Sequence, residues 1–284
     1  MEFCGSRHND PHAPPIRLVL EFLTKLFHSG VGYSAVNTAR SALSCVVVSE
    51  SGIPIGRHPL VVRLLKGVFQ LRPALPRNTA IWDTSVVLNF LNSMDLQKDI
   101  TLKDLSLKLA MLLALVTGQR SQTLQLLDIK NKLVSRSGYT FVIGDKVKQT
   151  RPGFHQAPLE IRSYPSNLNL CPKEHLDQYL TRTHDIRGSE TGLFISYMKP
   201  HNRVSSATLS RWVRIMLVRS GIDMKIFTPH SARAAATSKA KRMAVPINTI
   251  LKTAGWASTC TFAKFYDKPT QDQVHFADMI MDTS

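Results

Sequence analysis

Residues 228–237 read Thr-Pro-His-Ser-Ala-Arg-Ala-Ala-Ala-Thr. Threonine is a frequent helix cap and proline suits the first helical turn, so this stretch predicts a helix that begins near Pro229. His230 and Arg233, three residues apart, then share one face close to the N-terminus of that helix. The unpaired N–H groups there favour a bound phosphate. Taken alone, an H-x-x-R pair is weak evidence that favours an ordinary surface or core role, so the rest of the chain has to decide.

The charge balance supports a phosphate partner. The formal net charge is +16 and the sequence pI is about 10.0, which predicts binding to a polyanion. Between residues 191 and 266 the only acidic residue is Asp223, against twelve lysines and arginines. A solvated basic face is the alternative interpretation. Because the same acid-poor segment contains His230 and Arg233, we favour a phosphate-binding surface.

The remaining composition excludes several classes of protein. Hydrophobic residues make up 43% of the chain, enough to bury a core. No segment is apolar over the roughly 18 residues that a membrane span requires, and the start lacks the pattern of a secretion signal. We therefore expect a soluble protein of the nucleus or cytoplasm.

Four cysteines without a C-x-x-C pair indicate free thiols rather than a disulfide framework or zinc site: Cys4, Cys45, Cys171 and Cys260.

Two prolines divide the chain. Pro73 and Pro76 lie in a stretch that is stiff and extended by nature. We predict a flexible arm over 1–15, a small helical domain over 16–72, a linker over 73–81 and a second domain over 82–284. Apolar periodicity and capping residues predict helices in the two domains, at 16–27, 34–46 (with Ser34 as N-cap), 59–69, 84–94, 102–117, 173–180, 206–220, 229–242 and 246–254.

In residues 139–163 the pattern of apolar residues changes from that of a helix to that of β-strands. Residues 139–143 are β-prone, Gly144-Asp145 is a turn signal, and 156–161 can form a returning strand. The fold class predicted is therefore mainly α with a small antiparallel β-sheet (α+β). Three basic residues lie in or beside the connection between the strands: Lys146, Lys148 and Arg151.

Two further cations are candidates for a phosphate site. Arg120 follows the apolar helix 102–117 directly, and a guanidinium at the end of a buried helix is held rigidly. A structural arginine that pairs with Asp128 or a carbonyl is the alternative. Lys148, beside the end of a strand, can reach a leaving alkoxide and protonate it. Lys146 competes for that role, and a merely solvated lysine is equally compatible with the motif.

Two aromatic residues complete the set. Trp256 follows Gly255, so its ring can pack against the site while its N–H donates to a phosphate oxygen. Tyr266 lies ten residues later and is a candidate nucleophile, although a tyrosine in this aromatic context is commonly just core. Since a phenol has a pKa near 10, attack at neutral pH needs a neutralised phosphate and a nearby proton acceptor.

Together these residues and motifs resemble the tyrosine recombinase (phage integrase) family, and more closely the recombinases of DIRS-type retrotransposons. The resemblance covers roughly residues 16–275. Its motifs are R-P-A-L-P at 72–76, W-D-T-S-V-V-L at 82–88, K-Q-T-R-P-G at 148–153 and G-W-A-S-T-C-T-F-A-K-F-Y-D-K-P at 255–269. The family's site residues match six positions of this chain: Arg120, Lys148, His230, Arg233, Trp256 and Tyr266.

The resemblance implies a function. Residues 16–72 correspond to a helical core-binding (SAM-like) domain and 82–284 to the catalytic domain, which together clamp double-stranded DNA. We expect site-specific cutting and rejoining through a 3′-phosphotyrosyl intermediate, without cofactor or metal, by a homo-tetramer on DNA. It implies no membrane partner, and a nuclear protein of a DIRS-like mobile element. The C-terminal segment 273–280 either passes to a neighbouring protomer or folds back on its own domain.

The sequence departs from the family pattern at two positions. Thr123 stands where an acidic residue is common. The nucleophile usually lies nine residues after the histidine-or-tryptophan position, which is Phe265 here, whereas Tyr266 is at ten. We keep Tyr266 as the nucleophile because its F-Y-x-x-P context matches the DIRS-type pattern. The alternative is a catalytically inactive, host-recruited DNA-binding protein, and a relaxing topoisomerase is a third reading.

Overall fold

The computed structural model describes residues 3, 9–47, 52–73, 80–96, 100–147, 150, 153, 155–256 and 258–270. The chain divides into two compact units, 1–77 and 78–284. Of the arm predicted over 1–15, residues 3 and 9–15 are described; the linker predicted over 73–81 falls largely outside the described residues, and the segment 273–280 falls wholly outside them. These domain limits therefore stay predictions. Among the described residues, no helix combines the length and apolar character needed to cross a membrane.

The first unit is a small helical bundle. Leu23, Val36 and Val61, one from each helix, are fully buried in its core. The three helices confirm the predicted ones, although Ser34 lies inside its helix and Gly32 occupies the N-cap. The bounds are α1 (Ile16–His28), α2 (Tyr33–Val46) and α3 (Pro59–Leu71), with a 3₁₀ turn at Ile55–Arg57.

The second unit is built around one helix. α5 is buried at every position from Leu105 to Ala114, as expected for a helix that is apolar on most of its surface, with Ser106 and Lys108 as the polar exceptions. α7, α8, α9 and a strand surround it. The helices are α4 (Thr84–Ser93), α5 (Leu102–Thr117), α6 (Ser121–Gln125), α7 (Pro172–Thr183), α8 (Ser206–Arg219), α9 (Ser231–Arg242), α10 (Ile247–Ala254) and α11 (Thr259–Phe265).

A three-stranded antiparallel sheet lies in the same unit, in the order β1 (Lys132–Ser135), β2 (Gly138–Phe141), β3 (Leu159–Arg162). The pairing of β2 with β3 confirms the predicted sheet. β1 was not predicted, because Leu133 and Val134 are both exposed and give no alternating pattern. Lys146 lies exposed in the β2–β3 connection, whereas Lys148 and Arg151 lie outside the described residues.

Two basic side chains are buried in the core of the second unit, one on α5 and one on α7. Lys108, on α5 itself, donates to the carbonyl of Met94, and burial lowers its pKa to about 8. Nδ1 of His175, on α7, lies 2.8 Å from the carbonyl of Cys171. Burial lowers the pKa of His175 to about 4, and the nearby charge of Lys108 contributes to that shift. Both groups make the core of this unit sensitive to pH.

We expect the second unit to lose stability as pH falls from 6.5 towards 4. In this window the unfolded His175 binds a proton that the folded one excludes, so the free energy of unfolding decreases as pH falls. The full effect is at most about 3 kcal/mol. All three tryptophans lie in this unit, so tryptophan fluorescence in urea at several pH values measures it selectively.

The matched variants are His175→Asn and His184→Asn. Asparagine keeps a donor near the position of Nδ1 but does not titrate, so His175→Asn should flatten the pH dependence even if it lowers stability overall. His184 is exposed, so its replacement controls for the loss of an imidazole at the surface. Equal slopes in the wild type and His175→Asn would contradict the assignment.

Candidate active site

The ends of two helices hold Arg233. This side chain is 2% exposed, and its Nη1 and Nη2 each donate at 2.7 Å, to the carbonyls of Gly118 and Ala254. Those carbonyls belong to the C-terminal ends of α5 and α10. Both helices end in a left-handed glycine, Gly118 (φ 57°) and Gly255 (φ 69°). Helix C-termini present unpaired carbonyls and partial negative charge, so they stabilise a buried guanidinium without a carboxylate.

Arg233 keeps its charge and a spare donor. Burial, with a smaller contribution from the positive charge of Arg120, lowers its pKa to about 10, and Tyr266 partly offsets that shift. The group therefore stays protonated at neutral pH. Its Nε is buried and has no hydrogen-bond partner among the described residues.

Arg120 lies beside Arg233 at the N-cap of α6, two residues beyond Gly118. Among the described residues, neither guanidinium forms an ion pair with a carboxylate. The alternative partner Asp128 is already engaged, by Thr191 at 2.7 Å and by Arg203 at 3.9 Å. Two neighbouring cations without an acid between them form a site for an anion.

His230 and Tyr266 are joined by a hydrogen bond. His230 is the N-cap of α9, and Tyr266 follows the last residue of α11. Nε2 of the imidazole lies 3.0 Å from the phenol oxygen. When the imidazole is neutral with Nε2 unprotonated, the phenol donates and the histidine is placed to accept its proton.

Trp256 forms one wall of the site. It is 6% exposed, and its ring centroid lies 4.4 Å from that of Tyr266. The Cζ atom of Arg233 lies 4.2 Å from the same indole ring and 5.4 Å from the phenol ring. Nε1 of Trp256 is buried without a hydrogen-bond partner among the described residues. The indole therefore fixes the tyrosine ring and adds a second spare N–H.

The chain beyond Tyr266 is anchored to the same unit. The hydroxyl of Ser238, on α9, donates to the carbonyl of Tyr266 and accepts from the backbone N–H of Lys268 at 3.3 Å. Lys241 pairs with Asp267. The tyrosine is thus held on both sides, by α11 before it and by these contacts after it.

Two cavities meet at His230. One, of about 280 Å³, is lined by the two guanidiniums with Gln122, Ser206 and Ser210. The other, of about 310 Å³, lies on the side of Tyr266 and is lined by Thr228 and Lys268. Within the described ranges, no three His, Cys, Asp or Glu side chains approach closely enough to hold a metal ion.

Five of the six candidate residues therefore lie around one cleft: Arg120, His230, Arg233, Trp256 and Tyr266. The sixth, Lys148, lies outside the described residues. The helix containing Arg233 begins at Ser231 rather than near Pro229, because the hydroxyl and N–H of Ser231 bond the carbonyl of Thr228 and close a turn first.

Sequence reasoning missed two contributors. Nε1 of Trp82 donates to the Ser231 hydroxyl at 2.8 Å. Trp82 begins the motif W-D-T-S-V-V-L, but that motif gives no sign of this contact. The side chain of Gln156 packs against Gly255, where an added Cβ would come within 2.4 Å of its Oε1. No local pattern reveals either contact, because each joins distant segments.

Several solved structures share this fold. XerH site-specific recombinase, in a post-cleavage complex with a palindromic difH substrate, is 16% identical, covering 87% of this chain and 67% of that chain (TM-score 0.59). The Tn1549 transposon integrase with circular-intermediate DNA is 12% identical, covering 97% and 86% (TM-score 0.59). Lambda integrase, as a dimer on a COC′ core site, is 17% identical, covering 94% and 86% (TM-score 0.56). The comparison with curated proteins gave no match.

The fold is that of tyrosine recombinase catalytic domains. The model of the Phage integrase family matches residues 85–272, most of the second unit. The chain therefore belongs to the phage integrase family.

Proposed function

We propose that this chain is a site-specific DNA recombinase, or integrase, which cuts and rejoins double-stranded DNA through a 3′-phosphotyrosyl intermediate. The observation that carries the proposal is the contact of 3.0 Å between the Tyr266 hydroxyl and Nε2 of His230. Beside it, buried N–H groups of Arg233 and Trp256 have no described partner. A nucleophile, a proton acceptor and donors for an anion thus lie together.

In the cleavage step, the phenol oxygen of Tyr266 forms a bond to the scissile phosphorus while its proton passes to His230. The bond from phosphorus to the 5′-oxygen breaks. That oxygen takes a proton from a general acid, for which we propose Lys148, with Lys146 as the competitor. The products are a 3′-phosphotyrosine and a free 5′-hydroxyl.

Charge that builds on the non-bridging phosphate oxygens is stabilised by fixed donors. Arg120 and Arg233 supply guanidinium groups, and Trp256 supplies its indole N–H. Because Arg233 and Trp256 are held in place by their protein contacts, they reorganise little in the transition state, and this effect is usually large in enzyme catalysis.

Rejoining reverses the chemistry with a different strand. The 5′-hydroxyl of a partner strand attacks the phosphotyrosine and gives its proton back to the group that acted as general acid, and Tyr266 leaves with a proton returned by His230. The number of phosphodiester bonds is conserved, so the exchange needs no ATP, and in our proposal the side chains named above take the place of a metal or cofactor. Exchange of four strands takes four tyrosines, hence our proposal of a homo-tetramer on DNA; a lambda integrase tetramer bound to a Holliday junction has been solved.

The proposal extends to origin and location. The motif W-D-T-S-V-V-L at 82–88 and the F-Y-x-x-P context of Tyr266 support a DIRS-like mobile element as the source and the nucleus as the place of action. The net charge of +16 supports DNA contacts that are largely blind to sequence and weaken with salt.

A duplex with a nick just 3′ of the scissile phosphate tests the function. After cleavage the short 5′-hydroxyl fragment diffuses away, so the enzyme stays trapped on the DNA. We expect a protein–DNA species that survives denaturation and maps to a 3′-phosphate. Salt-sensitive binding without such a species would instead indicate the inactive DNA-binding protein. Relaxation of supercoils by a monomer would indicate a topoisomerase.

A further inference from the structure

We propose that Ile81 and Trp82 act together as a clasp that holds the proton acceptor and the nucleophile in register. The inference rests on the proposed function, and it assigns a positioning role to two residues that act through the segments carrying His230 and Tyr266. Both side chains are 2% exposed. They directly precede α4, whose N-cap Asp83 accepts from the N–H of Ser85 at 3.0 Å. The clasp is therefore fixed to a helix.

The first arm of the clasp reaches the histidine. Nε1 of Trp82 donates to the Ser231 hydroxyl at 2.8 Å, and that hydroxyl donates to the carbonyl of Thr228 at 2.6 Å. His230 lies between these two residues in the chain. The indole N–H therefore locks the turn from which the imidazole projects.

The second arm reaches the tyrosine. The backbone N–H of Ile81 donates to the carbonyl of Pro269 at 2.8 Å, and Ile81 forms a parallel bridge with Thr270. Pro269 lies three residues beyond Tyr266. The indole N–H of Trp82 and the backbone N–H of Ile81 thus hold the segments of both reacting side chains.

The hydrogen bond between His230 and Tyr266 depends on a restraint of this kind. His230 stands at the start of α9 and Tyr266 beyond the end of α11, so their contact depends on the relative position of two elements. A displacement of about 1 Å at a reacting pair can cost about 100-fold in rate. A clasp that bonds both segments limits that displacement.

The decisive change is Trp82→Phe, with Trp212→Phe as control. Each removes an indole that is 2% exposed in the same unit, but Trp212 packs against Phe194 and Tyr197 rather than the site. We expect Trp82→Phe to lower the single-turnover rate on the nicked duplex by about 10- to 100-fold. The Kd for DNA should change by less than about twofold, and the Tm should fall about as far as in the control.

The Ser231 variants test the first arm without a core change. Ser231→Ala removes the acceptor of the indole N–H and should reproduce the loss of rate, whereas Ser231→Thr keeps a hydroxyl and should restore it. Because one contact is tested from both ends, the double variant with Trp82→Phe should lose no more than either single variant.

Each outcome has one meaning. If Trp82→Phe cleaves as fast as Trp212→Phe, the clasp is overturned while the proposed function stands. Equal rates for the Ser231→Ala and Ser231→Thr variants overturn it as well, even if Trp82→Phe does not fold. If the wild type forms no covalent adduct, the proposed function itself fails, and the positioning role falls with it.

Discussion

Tyr266→Phe should abolish covalent capture of DNA and leave DNA binding within about twofold. The substitution removes a single oxygen, the one 3.0 Å from Nε2 of His230. The remaining ring can keep its packing against Trp256 and Arg233. Because phenylalanine has no atom that can attack phosphorus, the expected loss is complete rather than partial. The adduct on the nicked duplex is the measurement, with a gel-shift titration for binding.

Tyr179→Phe is the matched control. Tyr179 is fully buried in the same unit, and its hydroxyl bonds the backbone N–H of Ile195 at 3.0 Å. The same hydroxyl donates to the carbonyl of Ile195 at 3.2 Å. Its loss leaves both backbone groups without that partner and should cost about 1–3 kcal/mol of stability without reducing the adduct. Full trapping by Tyr266→Phe would mean that another residue attacks, and the assignment of Tyr266 would be wrong.

The parts of the fold that sequence reasoning predicted depend on local signals. The bounds of α5 were predicted to the residue, because Thr101 caps its start and Gly118 its end, with an apolar run between. The β2–β3 pair was predicted because residues 139–143 are β-prone and Gly144-Asp145 is a turn signal before a possible returning strand. Where local signals are absent, as in the exposed strand β1 or the short helix α11, prediction failed.

The active site was likewise predicted only in part from the sequence. The residue types and their order identified candidates, since arginine, histidine and tyrosine carry the chemistry of phosphate attack. Their convergence depends on contacts that no window of sequence contains. Trp82 and Ser231 are 149 residues apart, and Arg233 and Gly118 are 115 apart. Gly118 and Gly255, the left-handed glycines that end α5 and α10, can be recognised from the local sequence. The local sequence does not show that both helices direct a carbonyl at the guanidinium of Arg233.

Arg233→Lys should lower the cleavage rate by about 100- to 1000-fold, the usual effect of removing one fixed donor from a transition-state site. A guanidinium bonds the carbonyls of Gly118 and Ala254 with two nitrogens and keeps Nε for the phosphate. The single ammonium of lysine cannot satisfy both carbonyls and the phosphate together. Leaving one carbonyl unpaired should also cost about 1–3 kcal/mol of stability.

Arg187→Lys separates the two effects. Arg187 is 8% exposed in the same unit, and its guanidinium donates to the carbonyl of Gly192 at 2.9 Å and to Oγ1 of Thr183 at 2.6 Å. Its replacement should destabilise the unit to a similar degree without reducing the cleavage rate. If both variants lose the same activity, the loss reflects unfolding rather than a missing donor.

The pH profile gives an independent test of the same variant. Burial and the charge of Arg120 already lower the pKa of Arg233 to about 10. Lysine starts from a lower intrinsic pKa than arginine, so the same surroundings should bring an ammonium at residue 233 closer to neutral pH. Residual cleavage by Arg233→Lys should then decline as pH rises through mildly alkaline values, where the wild type keeps its charge. A profile parallel to that of the wild type would show that the positive charge at residue 233 does not act on the phosphate.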